Sequence, residues 1–211
     1  IFISHEHSDH IAGLQQLLKR FDIPVYTKQG TWREIQDKLV VPKNQLIELT
    51  KGSLTLGNLI VEPFAVSHDA ADPIGINVFS GKDKATVVTD TGIISDDILH
   101  RIDDSTLLVL EANYDPHMLR FGPYQPFLKQ RVASDEGHLS NEMAAQALLM
   151  MKRPDFMQVI LAHRSENNNN AVLVTQTIGK MLVDGGVRIG PEMKLQHGQP
   201  NEIVSMQSIK R

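Results

Sequence analysis

One segment of the chain, His5-Glu6-His7-Ser8-Asp9-His10, follows a short apolar stretch, residues 1–4, that is typical of a β-strand. Side chains two positions apart in a strand point to the same side, so His5 and His7 face one common point. Asp9 and His10 come where the chain turns into a helix, and they face a second point nearby. Because imidazole and carboxylate groups are ligands that Zn²⁺, Mn²⁺ and Fe accept, this segment predicts a metal site at a strand end.

Not every polar residue of this kind is expected to bind metal. Glu6 and Ser8 alternate with the predicted ligands, so we expect them to face solvent or to support the ligands indirectly. Three further histidines, His100, His117 and His197, have no partner at ligand spacing. We expect these three to be surface or packing residues.

The rest of the chain alternates strand patterns with helix patterns. Strands are predicted at residues 1–4, 24–27, 53–56, 59–66, 74–79, 85–89, 106–111 and 156–162. Helices are predicted where Ile11, Leu14, Leu17 and Leu18 share one face, and at residues 31–39, 96–101, 128–133, 140–151 and 171–183. Turns are predicted at Lys51-Gly52 and Gly57-Asn58, helix caps at Ser140 and Asn170, and a helix end at Gly185-Gly186. This order predicts a layered α/β fold with mixed sheets, and we expect one domain over residues 1–211.

The composition excludes several classes of protein. The chain has 211 residues, of which 41% are hydrophobic and 22% charged, enough for a buried core. It has no cysteine, which excludes disulfides, thiolate metal ligands and a cysteine nucleophile. The net charge of −4 gives no general support to nucleic-acid binding. We find neither a signal peptide nor a run of about 20 apolar residues, so we expect a cytoplasmic protein without a membrane segment.

The spacing of the first histidine cluster resembles the H-x-H-x-D-H signature of the metallo-β-lactamase superfamily. In that family a further histidine, an aspartate and another histidine follow, each at a strand end. His68, Asp90 and His163 match this order, since they follow the predicted strands at 59–66, 85–89 and 156–162. The resemblance implies a four-layer αββα sandwich.

The same resemblance implies two divalent metal ions, Zn²⁺ or Mn²⁺, and a division of the ligands between them. The first ion would be held by His5, His7 and His68. The second would be held by Asp9, His10 and His163. Asp90 would bridge the two ions.

A second motif, Gly137-His138-Leu139-Ser140-Asn141, opens a predicted helix about twenty residues before the last predicted ligand. It resembles the G-H-S/T element of the phosphodiesterase branch of the superfamily, found in tRNase Z-type enzymes. In that branch the histidine approaches the scissile phosphate and is held by a glutamate at a strand end, and Glu111 matches this glutamate. The resemblance implies that His138, Glu111 and Asp9 are the catalytic residues.

Three segments, residues 118–131, 137–141 and 163–169, are similar to the YycJ/WalJ-type proteins, bacterial enzymes of this fold regarded as DNA exonucleases. This similarity covers essentially the whole chain and implies a metal-dependent hydrolase of phosphodiesters with a nucleic-acid substrate, most simply DNA. Arg120, Lys129 and Arg131 are candidates for contacts with backbone phosphates. The pattern leaves open the choice between DNA and RNA, the polarity of cleavage and the oligomeric state.

Two other functions stay open at this point. A hydrolase of a small ester, thioester or lactone would share the metal ligands but would not need Gly137-His138. A non-catalytic metal-binding module is a third possibility, although the complete ligand set is against it. A β-lactamase is disfavoured because its zinc sites commonly use a cysteine.

The chain departs from the family pattern at its beginning. The family has further strands and an aspartate-bearing turn before the first histidine cluster, and neither is present here. An uncovered apolar edge strand would favour aggregation. We therefore expect that the sequence lacks an N-terminal segment and that the αββα sandwich lacks its N-terminal strands in this chain.

Overall fold

The computed structural model describes residues 1–50, 52–199 and 202–205. The helices in these ranges are α1 (Ser8–Ile11), α2 (Leu14–Arg20), α3 (Gln29–Gln36), α4 (Asp96–Ile102), α5 (Pro116–Phe121), α6 (Pro126–Val132), α7 (Asn141–Met150) and α8 (Ala171–Asp184). The strands are β1 (Val25–Thr27), β2 (Leu46–Glu48), β3 (Leu54–Leu56), β4 (Leu59–Ala65), β5 (Ile74–Ser80), β6 (Asp83–Val88), β7 (Leu107–Glu111), β8 (Met157–Ala162) and β9 (Met193–His197). Lys51, part of a predicted turn, lies outside the described residues.

The strands form one large mixed sheet and one small sheet. Seven strands lie in the order β3-β4-β5-β6-β7-β8-β9, and β1 pairs with β2. Pairing is antiparallel from β3 to β6 and parallel from β6 to β9. Parallel neighbours require crossover connections, which contain α4, then α5 to α7, then α8. The carboxyl ends of β6, β7 and β8 therefore lie side by side.

The two sheets pack against each other, with helices on both outer sides. On β1, Val25 belongs to an apolar cluster with α2 and α3, whereas its neighbour Tyr26 belongs to a cluster with Ile74 of the large sheet. On the other face of the large sheet, Leu108 and Leu110 are fully buried in a cluster with α4, α7 and α8. This arrangement confirms the predicted layered α/β fold with a mixed sheet.

The helix caps follow the sequence prediction. Ser140 accepts a hydrogen bond from the backbone N–H of Met143 at the start of α7, and Asn170 caps α8 in the same way. Gly185 ends α8, and Gly186 follows with a φ of +85°. The α7 cap fixes the backbone within the predicted motif, two residues after His138.

Several local predictions are wrong. Residues 1–4 form no strand but a single bridge, Phe2 to Tyr26, because the chain leaves the sheet at the histidine cluster. Leu17 was predicted on the apolar face of a single first helix, but it is 43% exposed. This segment forms two short helices, α1 and α2, which share no continuous face. The sequence analysis also missed β9 and α5. Helix α5 lies in a proline- and glycine-rich segment, where Asp115 caps the helix and Pro116 is its first residue.

Among the residues that the structure describes, no helix has both the length and the apolar character needed to cross a bilayer.

Two adjacent valines on β6 test the assignment of the sheet faces. Val88 is fully buried and Val87 is 41% exposed, so Val88→Ala should lower the free energy of unfolding by about 2 kcal/mol. Val87→Ala should cost less than about 0.5 kcal/mol. Both changes remove a β-branched residue from one strand, so the propensity effect is matched. Urea denaturation of the chelator-treated protein measures the difference, and equal losses would contradict the assigned faces.

Candidate metal centre

The predicted ligands meet at one edge of the fold. His5, His7, Asp9 and His10 lie in the turn before and within α1, while His68, Asp90 and His163 follow β4, β6 and β8. Asp90 and His163 have φ values of +57° and +51°, in the left-handed region that residues other than glycine rarely adopt. Such strained backbone conformations cluster at functional sites, where the surrounding fold imposes them.

Three of these imidazoles form a first group. The Nε2 atom of His68 lies 3.3 Å from Nδ1 of His7, and the ring centroid of His5 lies 4.6 Å from that of His7 and 5.0 Å from that of His68. One ring nitrogen from each residue lies within 4.8 Å of the other two. This spacing suits three ligands around one small cation.

A second group contains a carboxylate and two imidazoles. Oδ2 of Asp9 lies 3.5 Å from Nε2 of His10 and 3.6 Å from Nε2 of His163. Ligand atoms of these three residues also lie within 4.8 Å of one another. The two groups are those that the family resemblance assigns to two separate ions.

Asp90 lies between the two groups. Its Oδ1 atom is 3.6 Å from Nε2 of His68 in the first group and 3.4 Å from Nε2 of His163 in the second. Its Oδ2 atom is 3.4 Å from Nε2 of His10. A carboxylate in contact with both groups occupies the position that a bridging ligand requires.

Hydrogen bonds on the outer side of the rings orient three imidazoles. Nδ1 of His68 donates to the carbonyl oxygen of Gly137 over 3.0 Å. The Ser4 hydroxyl lies 3.1 Å from Nδ1 of His5 and 3.3 Å from Nδ1 of His10, so one side chain supports two rings. Holding Nδ1 in this way fixes the tautomer and leaves Nε2 for a metal. The sequence analysis missed the role of Ser4.

The residues present fit a divalent cation. Among the described residues, Nε2 of His5 and Oδ2 of Asp90 are buried side-chain atoms without a hydrogen-bond partner. Burial lowers the pKa of His5 to about 3, which keeps the ring in the neutral form that binds metal. Burial acts to raise the pKa of Asp90, but the facing imidazoles of His10 and His163 hold it well below its usual range. A bound cation would give both unpartnered atoms a ligand contact and would balance the buried negative charge of Asp90.

The charges around His163 also favour a bound cation at this site. Burial acts to lower the pKa of His163, but the carboxylates of Asp9 and Glu111 outweigh this effect and raise the pKa to about 11. The interaction with His163 in turn lowers the pKa of Asp9. Carboxylates that hold a proton this firmly on an imidazole create a site for positive charge, which a metal ion would supply.

Glu111 and His138, the predicted phosphodiesterase pair, are in contact beside this centre. Glu111 is the last residue of β7 and is fully buried, and its Oε1 atom lies 2.7 Å from Nδ1 of His138. The same Oε1 atom lies 3.3 Å from Nδ1 of His163, and Oε2 accepts the backbone N–H of Thr91. Glu111 therefore orients the predicted catalytic histidine and a predicted ligand together, a double contact that the sequence did not indicate.

The packing at position 137, directly before His138, leaves no space for a side chain. A Cβ atom on Gly137 would lie 2.3 Å from the carbonyl oxygens of both Arg131 and Val132. The backbone N–H of His138 donates to the carbonyl of Val132 over 2.9 Å. Glycine at 137 thus allows the close packing on α6 that sets the position of His138.

A family model described as a β-lactamase superfamily domain matches residues 1–163, the range that contains all seven predicted ligands. This chain belongs to the metallo-β-lactamase superfamily. It is 34% identical over 211 residues to exodeoxyribonuclease YycJ of Bacillus anthracis, and the matched region covers 99% of this chain and 80% of that protein. It is 31% identical over 214 residues to exodeoxyribonuclease WalJ of Streptococcus pneumoniae, covering 99% and 79% of the two chains. The crystal structure of the metallo-β-lactamase fold protein YhfI from Bacillus subtilis has the same fold, with a TM-score of 0.66 and 17% identity over 92% of this chain and 73% of that one.

An open cavity of about 330 Å³ leads to the candidate metal centre. It is lined by His7, Ser8, Asp9, Asp90, Arg131, His138 and His163. A larger hollow of about 500 Å³ lies against α2, but its lining contains no imidazole or carboxylate. The chemistry of the lining, rather than the size of the cavity, identifies the candidate site.

Of the three predicted basic residues, the structure brings only Arg131 to the cavity lining. Its guanidinium forms a two-point ion pair with Asp69, with Nη2 2.9 Å from Oδ1. Asp69 also lies 3.5 Å from Nε2 of His68. The sequence analysis missed Asp69, although its position directly after a predicted ligand was a usable signal. Lys129 does not line the cavity and donates to the carbonyl of Arg120 over 2.8 Å.

The residues predicted to lie outside the metal centre divide as follows. Glu6 is buried and accepts the backbone N–H of Ala71 over 2.8 Å, so the expectation that it faces solvent is wrong and the expectation of indirect support fits. Ser8 is exposed. His100 contacts the carbonyl of Asp96, His117 packs on Phe121, and His197 contacts Thr175, all away from the ligand groups.

Asp90→Asn tests the bridging position, because asparagine keeps the size and tolerates the left-handed backbone but removes the charge. Protein purified without chelator should lose at least one metal ion per chain on this change, measured by inductively coupled plasma mass spectrometry. The matched control is Asp104→Asn, a surface residue with a φ of +56°. An Asp90→Asn protein with the metal content of wild type would remove Asp90 from the ligand set.

Proposed function

We propose that this chain is a metal-dependent phosphodiesterase that hydrolyses DNA as an exonuclease, with two divalent ions, Zn²⁺ or Mn²⁺. The contact that carries the proposal is Nδ1 of His138 with Oε1 of Glu111, 2.7 Å apart beside Asp90 and the cavity. Two relatives that are 34% and 31% identical over nearly the whole chain are exodeoxyribonucleases, which supports a DNA substrate. A DNA substrate would also place the protein in the cytoplasm.

The proposed ligand roles follow the observed groups. One ion would be held by His5, His7 and His68, the other by Asp9, His10 and His163, with Asp90 between them. The proposed ligands extend from residue 5 to residue 163 and lie before or within α1 and after β4, β6 and β8, so we propose that residues 1–211 act as one domain. When bound, the ions would supply Lewis-acid activation of water and of the phosphate.

His138 would act on the phosphate itself. A carboxylate can only accept, so Glu111 holds the proton of His138 on Nδ1 and leaves Nε2 for the substrate. A protonated Nε2 would donate to the phosphoryl oxygen or pass its proton to the leaving oxygen as the P–O bond breaks. Hydrolysis of a small ester, thioester or lactone would share the metal ligands but would not need His138 with its buried carboxylate.

Arg131 would contact a backbone phosphate at the mouth of the cavity. Its ion pair with Asp69 lowers the pKa of Asp69 and shares its charge, so its phosphate contact is expected to be weaker than that of a free arginine. Arg120 and Lys129 have no carboxylate within ion-pair distance in the described part of the chain. These two residues would contact phosphates further from the reacting group.

The direct test measures hydrolysis of bis-p-nitrophenyl phosphate and of end-labelled single- and double-stranded DNA, beside thioester and lactone substrates. Hydrolysis of the phosphodiester and release of mononucleotides from DNA are expected, both abolished by chelator and restored by Zn²⁺ or Mn²⁺. A protein with full metal content that cleaves thioesters or lactones and no phosphodiester would contradict the proposal.

A double-mutant cycle tests whether Glu111 and His138 act as one unit. His138→Ala should lower kcat about 10²–10⁴-fold with bound metal retained, the effect typical of a general acid or base. Glu111→Gln should cost less, and the double variant should be little worse than His138→Ala, because groups that act together are non-additive. His100→Ala, an exposed histidine on α4, is the matched control. Additive losses, or metal loss in His138→Ala, would show that His138 is independent of Glu111 or is itself a ligand.

A further inference from the structure

Asp69 connects the first ligand group with helix α6. Its Oδ1 atom lies 3.5 Å from Nε2 of His68 and 4.0 Å from Nε2 of His7. The same carboxylate forms the two-point ion pair with Arg131 of α6. Its backbone N–H donates to the carbonyl oxygen of Glu136 over 3.1 Å, which ties Asp69 to the loop after α6. The carboxylate of Asp69 is therefore held in contact with the first ligand group and with a guanidinium at once.

The guanidinium of Arg131 keeps one free edge after this pairing. Of its five N–H donors, Asp69 accepts the one on Nε and one on Nη2. The two donors on Nη1 and the second on Nη2 have no acceptor in the described part of the chain. The side chain is 44% exposed and lines the cavity. The remaining donors form the second edge of the planar fork, whose geometry matches two oxygens of one phosphate.

The ion pair also fixes where this free edge lies. An unpaired arginine at a surface samples many rotamers, and a bound phosphate would have to order it. Asp69 orders the guanidinium before substrate arrives. Among the described residues, the guanidinium reaches the first ligand group only through Asp69, so its free edge faces the phosphate next to the one that reacts. In an exonuclease the strand leaves the cavity on one side, so this phosphate is the second linkage from the end.

We infer that Asp69 is a positioning residue, which holds Arg131 so that its free edge binds the second phosphate from the DNA end. Asp69 shares the charge of Arg131, which weakens the attraction for phosphate, but it fixes the direction of the contact. A contact with a non-reacting phosphate raises kcat when it places the reacting group correctly. The inference rests on the proposed function and deepens it, because it names a linkage that the enzyme reads besides the one that it cleaves.

The test compares two DNA strands of the same sequence. In one of them the second linkage from the degraded end, identified with end-labelled DNA, is a methylphosphonate, which is neutral. The rate of release of the first nucleotide is measured on each strand at saturating protein, and the quotient of the two rates is called the phosphate preference. Because both rates come from one protein, the quotient does not depend on how much of a variant is folded or loaded with metal. Wild type should show a preference of about 10- to 100-fold, the range that a hydrogen bond to a charged group provides.

Variants of the two paired residues show whether Asp69 acts through Arg131. Arg131→Ala should abolish the phosphate preference. Asp69→Asn, which keeps the size of the side chain and removes its charge, should lower the preference to the same level. The double variant should show no further change, because groups that act as a unit are non-additive.

The matched control is Asp72→Asn, which removes a carboxylate from the same loop. Asp72 forms no ion pair among residues 1–50, 52–199 and 202–205, and its variant should keep the preference of wild type. An unchanged preference in Asp69→Asn would leave Asp69 with a structural role only. A raised preference would show that Asp69 competes with DNA for Arg131. Either result overturns the inference.

Arg131→Lys provides a second test that leaves Asp69 and the neighbouring His68 unaltered. Lysine carries the same charge as arginine, but as a point charge without a planar fork, so it cannot pair at two points and present a fixed second edge. The phosphate preference should therefore fall, while KM for the unmodified strand changes little. A preference as large as that of wild type would show that charge alone suffices, which overturns the inference.

A spectroscopic measurement tests the restraint without any reaction. The Nε–H group of Arg131 donates to Asp69, so in ¹⁵N NMR spectra its proton should exchange slowly with water. The signal is assigned by its absence from Arg131→Lys. In Asp69→Asn the exchange should become faster, whereas in Asp72→Asn it should stay slow. Equal exchange rates in wild type and Asp69→Asn would contradict the claim that Asp69 holds the guanidinium.

The failure of this inference and that of the proposed function give different results. If wild type hydrolyses neither bis-p-nitrophenyl phosphate nor DNA, the proposed function fails, and the inference that rests on it fails too. If wild type hydrolyses both substrates and cleaves the two DNA strands at equal rates, only the role of Asp69 and Arg131 at the second linkage is overturned.

Discussion

The site depends on one buried charge, the carboxylate of Asp90. It is 3% exposed and faces imidazoles from both ligand groups, so its negative charge is balanced from two sides. An ionised carboxylate without such compensation would be costly at this depth, and the histidines without it would have no common counter-charge. Asp90 is the predicted ligand that lies between the two groups formed by the six others. The left-handed backbone at Asp90 is the local strain that aims the carboxylate between them.

The fold supplies this arrangement by placing chain ends close together. Asp90, Glu111 and His163 follow or end the neighbouring strands β6, β7 and β8. Close backbone packing then fixes the loops to one another, since a Cβ atom on Gly92 would lie 2.2 Å from the carbonyl oxygen of Ser134. The buried Asn169 amide also donates to the carbonyls of Ala112 and Asn113, which anchors the chain just after Glu111. The proposed catalytic pair and the candidate metal centre thereby lie at one closely packed edge of the fold.

The sequence predicted those parts of the site that are encoded locally. The candidate ligands could be named from the sequence because each is an imidazole or carboxylate next to a strand pattern, in the order known for a family. The pair of Arg131 with Asp69 could not be found, because it joins residues 62 positions apart and depends on how α6 packs. For Glu6 the alternation left two options, solvent or indirect support of the ligands, and it could not choose between them because the chain turns into α1 just after this residue. The helix α5 was missed because proline at a first helical position looks like a loop when its cap is not considered.

Crystallography with anomalous scattering from protein loaded with Zn²⁺ or Mn²⁺ tests the central claim most directly. The account predicts two peaks about 3.5–4 Å apart, one beside His5, His7 and His68, the other beside Asp9, His10 and His163. The Asp90 carboxylate should reach both peaks, with oxygen–metal distances of about 2.0–2.2 Å for zinc. A single peak, or two peaks that both lie beyond the reach of Asp90, would contradict the account.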